Sequence, residues 1–222
     1  MSDAKRRLSI DIWSDVLCPF CYMGDTLLAQ ALAQFPHADR VDVRYRSYQL
    51  MPHLPVGETV GVTELLVREK GMSRAQVEAM NAQLTARGRE LGIEYRFDRA
   101  LAFNTRAAHR LSHFALPQGT QHELMLRLFR AYFSEGADLS KTSALVDCAA
   151  EVGLDRAAAL HALESGAFDA EVIADEQEAR TIGVRGVPFF VLDGRYAVSG
   201  AQPVEAFRQA LDTAWEAQDS ET

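Results

Sequence analysis

Two cysteines with two residues between them, in Cys18-Pro19-Phe20-Cys21, are the side chains of this sequence best suited to chemistry. They follow an alternating apolar segment and open a stretch with helical spacing, the context in which a CxxC pair reads as a redox site. A helix N-terminus presents unpaired N–H groups and the positive end of the dipole, and both stabilise a thiolate at the first cysteine. A thiol of pKa about 8.5 is roughly 3% ionised at pH 7, whereas one lowered to about 6 is roughly 90% ionised. Cys18 is therefore the expected nucleophile. Cys21 falls one turn later on the same face, where it can attack a mixed disulfide on Cys18 and release the partner. Pro19 suits the first helical position, where no N–H is lost. Two other readings stay open on pattern alone. One is half of a zinc site, which requires a second CxxC or a close histidine pair that the sequence lacks, since His37 and His53 stand alone; the other is an inert buried pair.

The whole chain limits what this pair can be for. It has 222 residues, 23 basic against 31 acidic side chains and a formal charge of −8, so a nucleic-acid binder, which needs a basic excess or stripe, is not expected. With 48% hydrophobic and 24% charged residues it has the composition of a globular protein and not of a disordered or collagen-like chain. Three cysteines are too few for a disulfide scaffold. The basic start, Met1 to Arg7, runs into the alternating Leu8-Ser9-Ile10-Asp11-Ile12 and not into an apolar export segment. No run approaches the roughly 18 apolar residues of a membrane span. The expected compartment is the cytoplasm, where thiols are kept reduced and a close pair points to redox chemistry or metal.

The elements that must position the pair follow from periodicity. Residues 8–14 and 41–50 alternate as strands, and 19–35 carries the helical stripe Leu27, Leu28, Ala31, Leu32 and Phe35. This is a β-α-β unit, whose ligand site lies beyond the carboxyl ends of its strands. From about 60 to 182 the pattern predicts five or six helices and no strand, with capping boxes at Ser73–Gln76 and Thr120–Glu123 and N-caps at Ser140 and Asp155. Two strands, 187–192 and 195–199, then flank the turn pair Asp193-Gly194, and 203–217 reads as an amphipathic helix. Pro188, in Gly186-Val187-Pro188-Phe189-Phe190, opens the first of these strands, a place also taken by ordinary edge prolines.

Taken together, Asp15 to Gly24, Asn104 to Arg110, Ala131 to Gly136, Gly186 to Phe190 and Val198 to Gln202 resemble the FrnE branch of the DsbA family over nearly the whole chain. The resemblance implies an α/β protein: a thioredoxin fold, residues 1–58 and 183–222, interrupted by a large all-helical insertion, residues 59–182. It implies a thiol-disulfide oxidoreductase or isomerase with Cys18 as nucleophile, Cys21 as resolving thiol and Pro188 as the cis-proline. The Val187 backbone would then pair with an extended substrate segment beside Pro19 and Phe20. Some members carry a second cysteine pair near the C-terminus; this chain has no cysteine after Cys148. Periplasmic members have a histidine between the cysteines, and Pro19-Phe20 lacks it, which points to a milder potential of roughly −200 to −230 mV in place of one near −120 mV.

Other residues carry weaker signals. Asn104 and His109 match residues that help bind substrate in related isomerases, and read equally as an N-cap and a helix histidine. Asp15 fits a turn, or a proton acceptor for Cys21. Cys148 falls on an apolar helix face, the pattern of a buried thiol, and Phe103, Phe114, Phe129 and Phe133 read as core. The termini, including Glu216 to Glu221, read as solvated. No metal or organic cofactor is called for, although glutathione remains a possible co-substrate. Partners are protein or small-molecule thiols and disulfides, with no nucleic acid and no membrane, and oligomeric state is left open. The competing functions are a glutathione-dependent isomerase or transferase of the kappa or hydroxychromene-carboxylate type, which needs no resolving cysteine, and a chaperone-like binder, which needs neither.

Overall fold

In the computed structural model, which describes residues 6–219, β1 (Leu8–Ser14) buries Leu8, Ile10 and Ile12 at alternate positions while Ser9 is exposed, as its period of two requires. Trp13 and Ser14 are buried as well, because the helical part of the chain covers the other face at this end: Trp13 packs on Ala179 and Val184 and donates its indole N–H to the Asp175 carbonyl. The chain continues through α1 (Pro19–Leu32) and β2 (Val41–Ser47), which runs parallel to β1 in the register Leu8↔Val41 to Ser14↔Ser47.

Next come β3 (Thr59–Gly61), α2 (Val62–Lys70), α3 (Arg74–Glu90), β4 (Leu101–Phe103), α4 (Arg106–Ala115) and α5 (Gln121–Arg130), the last closed by a π-helical turn at Ala131–Glu135. Then follow α6 (Thr142–Glu151), α7 (Arg156–Glu164) and α8 (Asp169–Thr181). The chain returns to the sheet as the hairpin β5 (Phe189–Leu192) and β6 (Tyr196–Ser199), and ends in α9 (Val204–Asp219). Strand order is β2-β1-β5-β6, with β5 antiparallel to both neighbours. Asp193 (φ 53°) and Gly194 (φ 68°) both take the left-handed backbone of a primed hairpin turn. α9 packs on α1, and Phe207 meets Phe190 edge-on at 4.8 Å. A single apolar cluster runs from Leu8, Ile12 and Met23 through Leu111 and Leu128 to Leu145, so the helices share their core with the sheet.

The expected order of strands and helices is present, with these differences. The stretch between β2 and β5 holds seven α-helices among the described residues, plus the small antiparallel ladder β3–β4; three-residue strands are too short to show a period. β2 stops at Ser47, because Leu50 has turned to give its N–H to the Asp15 carboxylate. Thr120 precedes α5, but its side chain makes no capping bond and its hydroxyl is buried without a hydrogen-bond partner among the described residues. Ser140 does not cap α6; its hydroxyl donates to Asp138 at 2.5 Å and Lys141 precedes the helix. The Ser73 box and the Asp155 cap form as expected. The N-terminal arm is packed and not simply solvated: Arg6 lies 3.9 Å over the Trp215 ring, and Arg7 pairs with Asp42 at 2.5 Å. The basic start up to Lys5 and the end of the acidic tail, residues 220–222, lie outside the described residues.

Candidate active site

Pro19 starts α1, and Cys18 sits immediately before it in extended backbone (φ −91°, ψ 112°) with no side-chain cap. The turn into the helix is closed by Cys18 N–H to the Asp15 carbonyl and Cys21 N–H to the Cys18 carbonyl, both 3.0 Å. The Cys18 thiol donates to the Val187 carbonyl at 3.4 Å, and the Val187–Pro188 peptide bond is cis. Both cysteines are free thiols and nearly covered, at 5% and 2% exposure. Burial pushes the Cys21 thiol well up, and the adjacent Cys18 sulfur adds to it. Cys21 is therefore protonated at neutral pH. Phe20, 41% exposed, stands at the mouth.

Three contacts hold this corner in place. Gly24 brings α1 against the proline loop so closely that a methyl group there would lie 2.9 Å from Pro188 Cγ and 3.0 Å from Phe190 Cζ. Tyr95 gives its hydroxyl hydrogen to the Pro19 carbonyl at 2.7 Å, wedged between Phe97 and Phe133. Arg87 reaches from α3 to the Ala201 carbonyl at 2.6 Å. None of the three was singled out from the sequence: Gly24 lies inside the family motif without a role, and nothing local marks a tyrosine or arginine so far from the cysteines along the chain.

Behind the pair lie buried polar groups. Asp15 is fully covered; its carboxylate accepts the Leu17 and Leu50 N–H groups at 3.2 and 2.6 Å and the Thr105 hydroxyl at 3.4 Å. Burial outweighs these bonds and pushes its pKa up to about 6. His109 Nε2 stands 3.8 Å from that carboxylate with no hydrogen-bond partner among the described residues, and burial pushes its pKa down to about 3, so the imidazole is neutral at pH 7. Asn104 binds the Leu54 carbonyl at 2.9 Å and accepts the Arg106 N–H at 3.0 Å, a local tie at the start of α4. One turn beyond Cys21, Asp25 accepts from the Tyr45 hydroxyl and from His122 Nε2 at 3.0 Å, an arrangement the sequence did not suggest. Cys148 is buried, and its pKa is pushed up to about 11, mainly by burial. Among the described residues, no group of three or more His, Cys, Asp or Glu side chains is placed to hold a metal ion, and no helix is long and apolar enough to cross a membrane.

A cavity of 240 Å³ adjoins the pair, between Cys18-Pro19-Phe20 on one side and α2, α3 and Phe97 to Ala102 on the other. Of the residues proposed from the sequence, Cys18, Pro19 and Phe20 line it; Val187 and Pro188 face Cys18 from the hairpin side; Asn104 and His109 lie outside its wall.

Residues 9–212 match the DSBA-like thioredoxin domain. The chain belongs to that family. A probable DsbA oxidoreductase from Streptomyces coelicolor is 39% identical, with a TM-score of 0.90 over 95% of this chain and 91% of that one. The uncharacterized protein YwbO of Bacillus subtilis is 26% identical over 204 residues, 91% of this chain and 94% of its own. The cytosolic disulfide reductase DsbM from Pseudomonas aeruginosa, solved with GSH, shares the fold at a TM-score of 0.65 and 19% identity, over 94% of this chain and 99% of its own.

Proposed function

We propose that this DsbA-family protein is a thiol-disulfide oxidoreductase, of the FrnE branch, that exchanges disulfides through Cys18 and Cys21. The single observation that carries the reading is the placement of Cys18: it stands at the head of α1, where free helix N–H groups stabilise negative charge on sulfur, with its thiol against the Val187 carbonyl. Cys21, protonated and covered, is the resolving thiol. In the forward cycle the Cys18 thiolate attacks a substrate disulfide, a mixed disulfide forms and one substrate thiol leaves. Cys21 then loses its proton, attacks the Cys18 sulfur and releases the second thiol. The reverse sequence oxidises a dithiol. Val187 and Pro188 give an extended substrate backbone a surface beside the reacting sulfur. We assign the protein to the cytoplasm, in keeping with the cytosolic reductase that shares its fold. Steady-state reduction of a protein disulfide, driven by an excess of dithiol, tests the reading. Cys18→Ser is expected to abolish turnover and Cys21→Ser to reduce it by at least about a hundredfold, whereas a glutathione-dependent isomerase would keep its activity without Cys21.

A further inference from the structure

We infer that Tyr95 is a positioning residue for the nucleophile: its hydroxyl, bonded to the Pro19 carbonyl, strengthens the Phe20 N–H as the donor that receives the Cys18 thiolate. This rests on the oxidoreductase reading, in which Cys18 attacks. As a thiol, Cys18 gives its hydrogen to the Val187 carbonyl at 3.4 Å and takes no capping bond from the helix. Once that proton has gone to solvent the sulfur can only accept, and a carbonyl oxygen facing a thiolate repels it. The sulfur then needs an N–H, and the first turn of α1 leaves it one. Pro19 at the first position has none. The Cys21 N–H is held by the Cys18 carbonyl, and the Cys18 N–H by the Asp15 carbonyl, each at 3.0 Å. Phe20 stands second in the helix, where no carbonyl four residues back belongs to the helix, and its N–H makes no hydrogen bond among the described residues. It occupies a position from which an N-cap side chain accepts.

The Phe20 N–H and the Pro19 carbonyl are two ends of one peptide group, and the Tyr95 hydroxyl donates to that carbonyl at 2.7 Å. A hydrogen bond to the oxygen of an amide draws electrons from its nitrogen and makes the N–H a better donor, by about 10–30% per bond. Tyr95 therefore acts on the sulfur through a single peptide plane. Its setting serves that bond. The ring is 5% exposed, stacked on Phe97 at 5.0 Å and edge-on to Phe133 at 5.1 Å. Gly88, near the end of α3, makes room for it, since a methyl group there would lie 2.5 Å from the ring. Burial first, and then the Cys18 sulfur, push the phenol up, so the hydroxyl stays a donor at neutral pH.

The test alkylates the reduced full-length protein with iodoacetamide at a series of pH values and follows the Cys18 adduct by mass spectrometry. In that reaction the sulfur bonds to the reagent's carbon, iodide leaves and the thiol proton goes to solvent. Tyr95→Phe keeps the ring and removes only the hydroxyl; it is expected to raise the midpoint of the Cys18 profile by about 0.4 pH units, the size of a quarter of a hydrogen bond to a charged group. Tyr22→Phe takes a hydroxyl from the ring edge-on to Tyr95 at 6.3 Å, one with no bond to the Pro19–Phe20 peptide, and should leave the midpoint where it is. In amide NMR spectra of the parent over the same range, the Phe20 N–H should move downfield as Cys18 ionises, and it should move less in Tyr95→Phe. Should a thermal melt show Tyr95→Phe unfolded, the parent's Phe20 amide decides alone. An unchanged midpoint in folded Tyr95→Phe, an equal shift in Tyr22→Phe, or a Phe20 amide that does not respond to Cys18 would overturn the inference. Failure of the oxidoreductase reading shows separately, as no mixed disulfide on Cys18 at any pH.

Discussion

At the scale of single residues, the sequence placed the chemistry on Cys18 and Cys21, and the structure sets the two thiols at the head of one helix in different surroundings, with Cys21 the more deeply covered. What the sequence could not show is burial, and burial decides the state of the groups behind them. Asp15 and His109 are remote from each other along the chain, and only the fold makes them neighbours 3.8 Å apart. The imidazole, with a pKa near 3 in the fold against 6.5 for the unfolded chain, binds fewer protons folded than unfolded across that interval. Its contribution to stability is therefore present above about pH 6.5 and is lost as pH falls towards 3, at up to about 1.4 kcal/mol per pH unit. Asp15, raised to about 6, works in the opposite sense between about 3.8 and 6. Denaturant unfolding of His109→Gln beside the parent chain isolates the histidine: the variant should gain on the parent steadily as pH falls from 6.5 to 4. A difference that does not change with pH would mean the imidazole is already free to take a proton in the fold.

Between elements, the decisive contact is α1 against the start of β5. The alternation of residues 8–14, the helical stripe from Pro19 and the Asp193-Gly194 turn each announce themselves locally, so both elements were legible; their closeness was not. Gly24 makes it possible. Replacing it by alanine would favour the helix by about 0.5–1 kcal/mol on propensity alone. The added methyl would meet the buried Pro188 and Phe190 rings at 2.9–3.0 Å, and relieving such overlap costs about 1–3 kcal/mol. The clash should win, so Gly24→Ala should lower unfolding stability by roughly 1–2 kcal/mol and, by moving Cys18 relative to Val187, slow disulfide exchange. A variant as stable and as fast as the parent would show that this approach is not what aligns the site. The small β3–β4 ladder and the early end of β2 escaped the sequence for a related reason, since three residues cannot display a period and the Asp15 carboxylate that captures Leu50 is remote in the chain.

For the whole molecule, the order of elements, the fold and the cysteine pair were readable from pattern and family likeness. The uncharged cavity was not, because residues from 17 to 133 converge on it and none of its leucines or methionines differs from core by type or spacing. Pro19-Phe20 brings no cation to Cys18, so equilibration of the pure protein with glutathione buffers should give a potential of roughly −200 to −230 mV; a value above about −150 mV would show that another group stabilises the reduced form. The central claim, that Cys18 attacks and Cys21 resolves, is tested most directly by mixing Cys21→Ser with a disulfide substrate and mapping the adduct by mass spectrometry. The expected result is one persistent mixed disulfide, on Cys18, where the parent chain shows only a transient one. An adduct on Cys148, or continued turnover with no adduct on Cys18, would contradict the account.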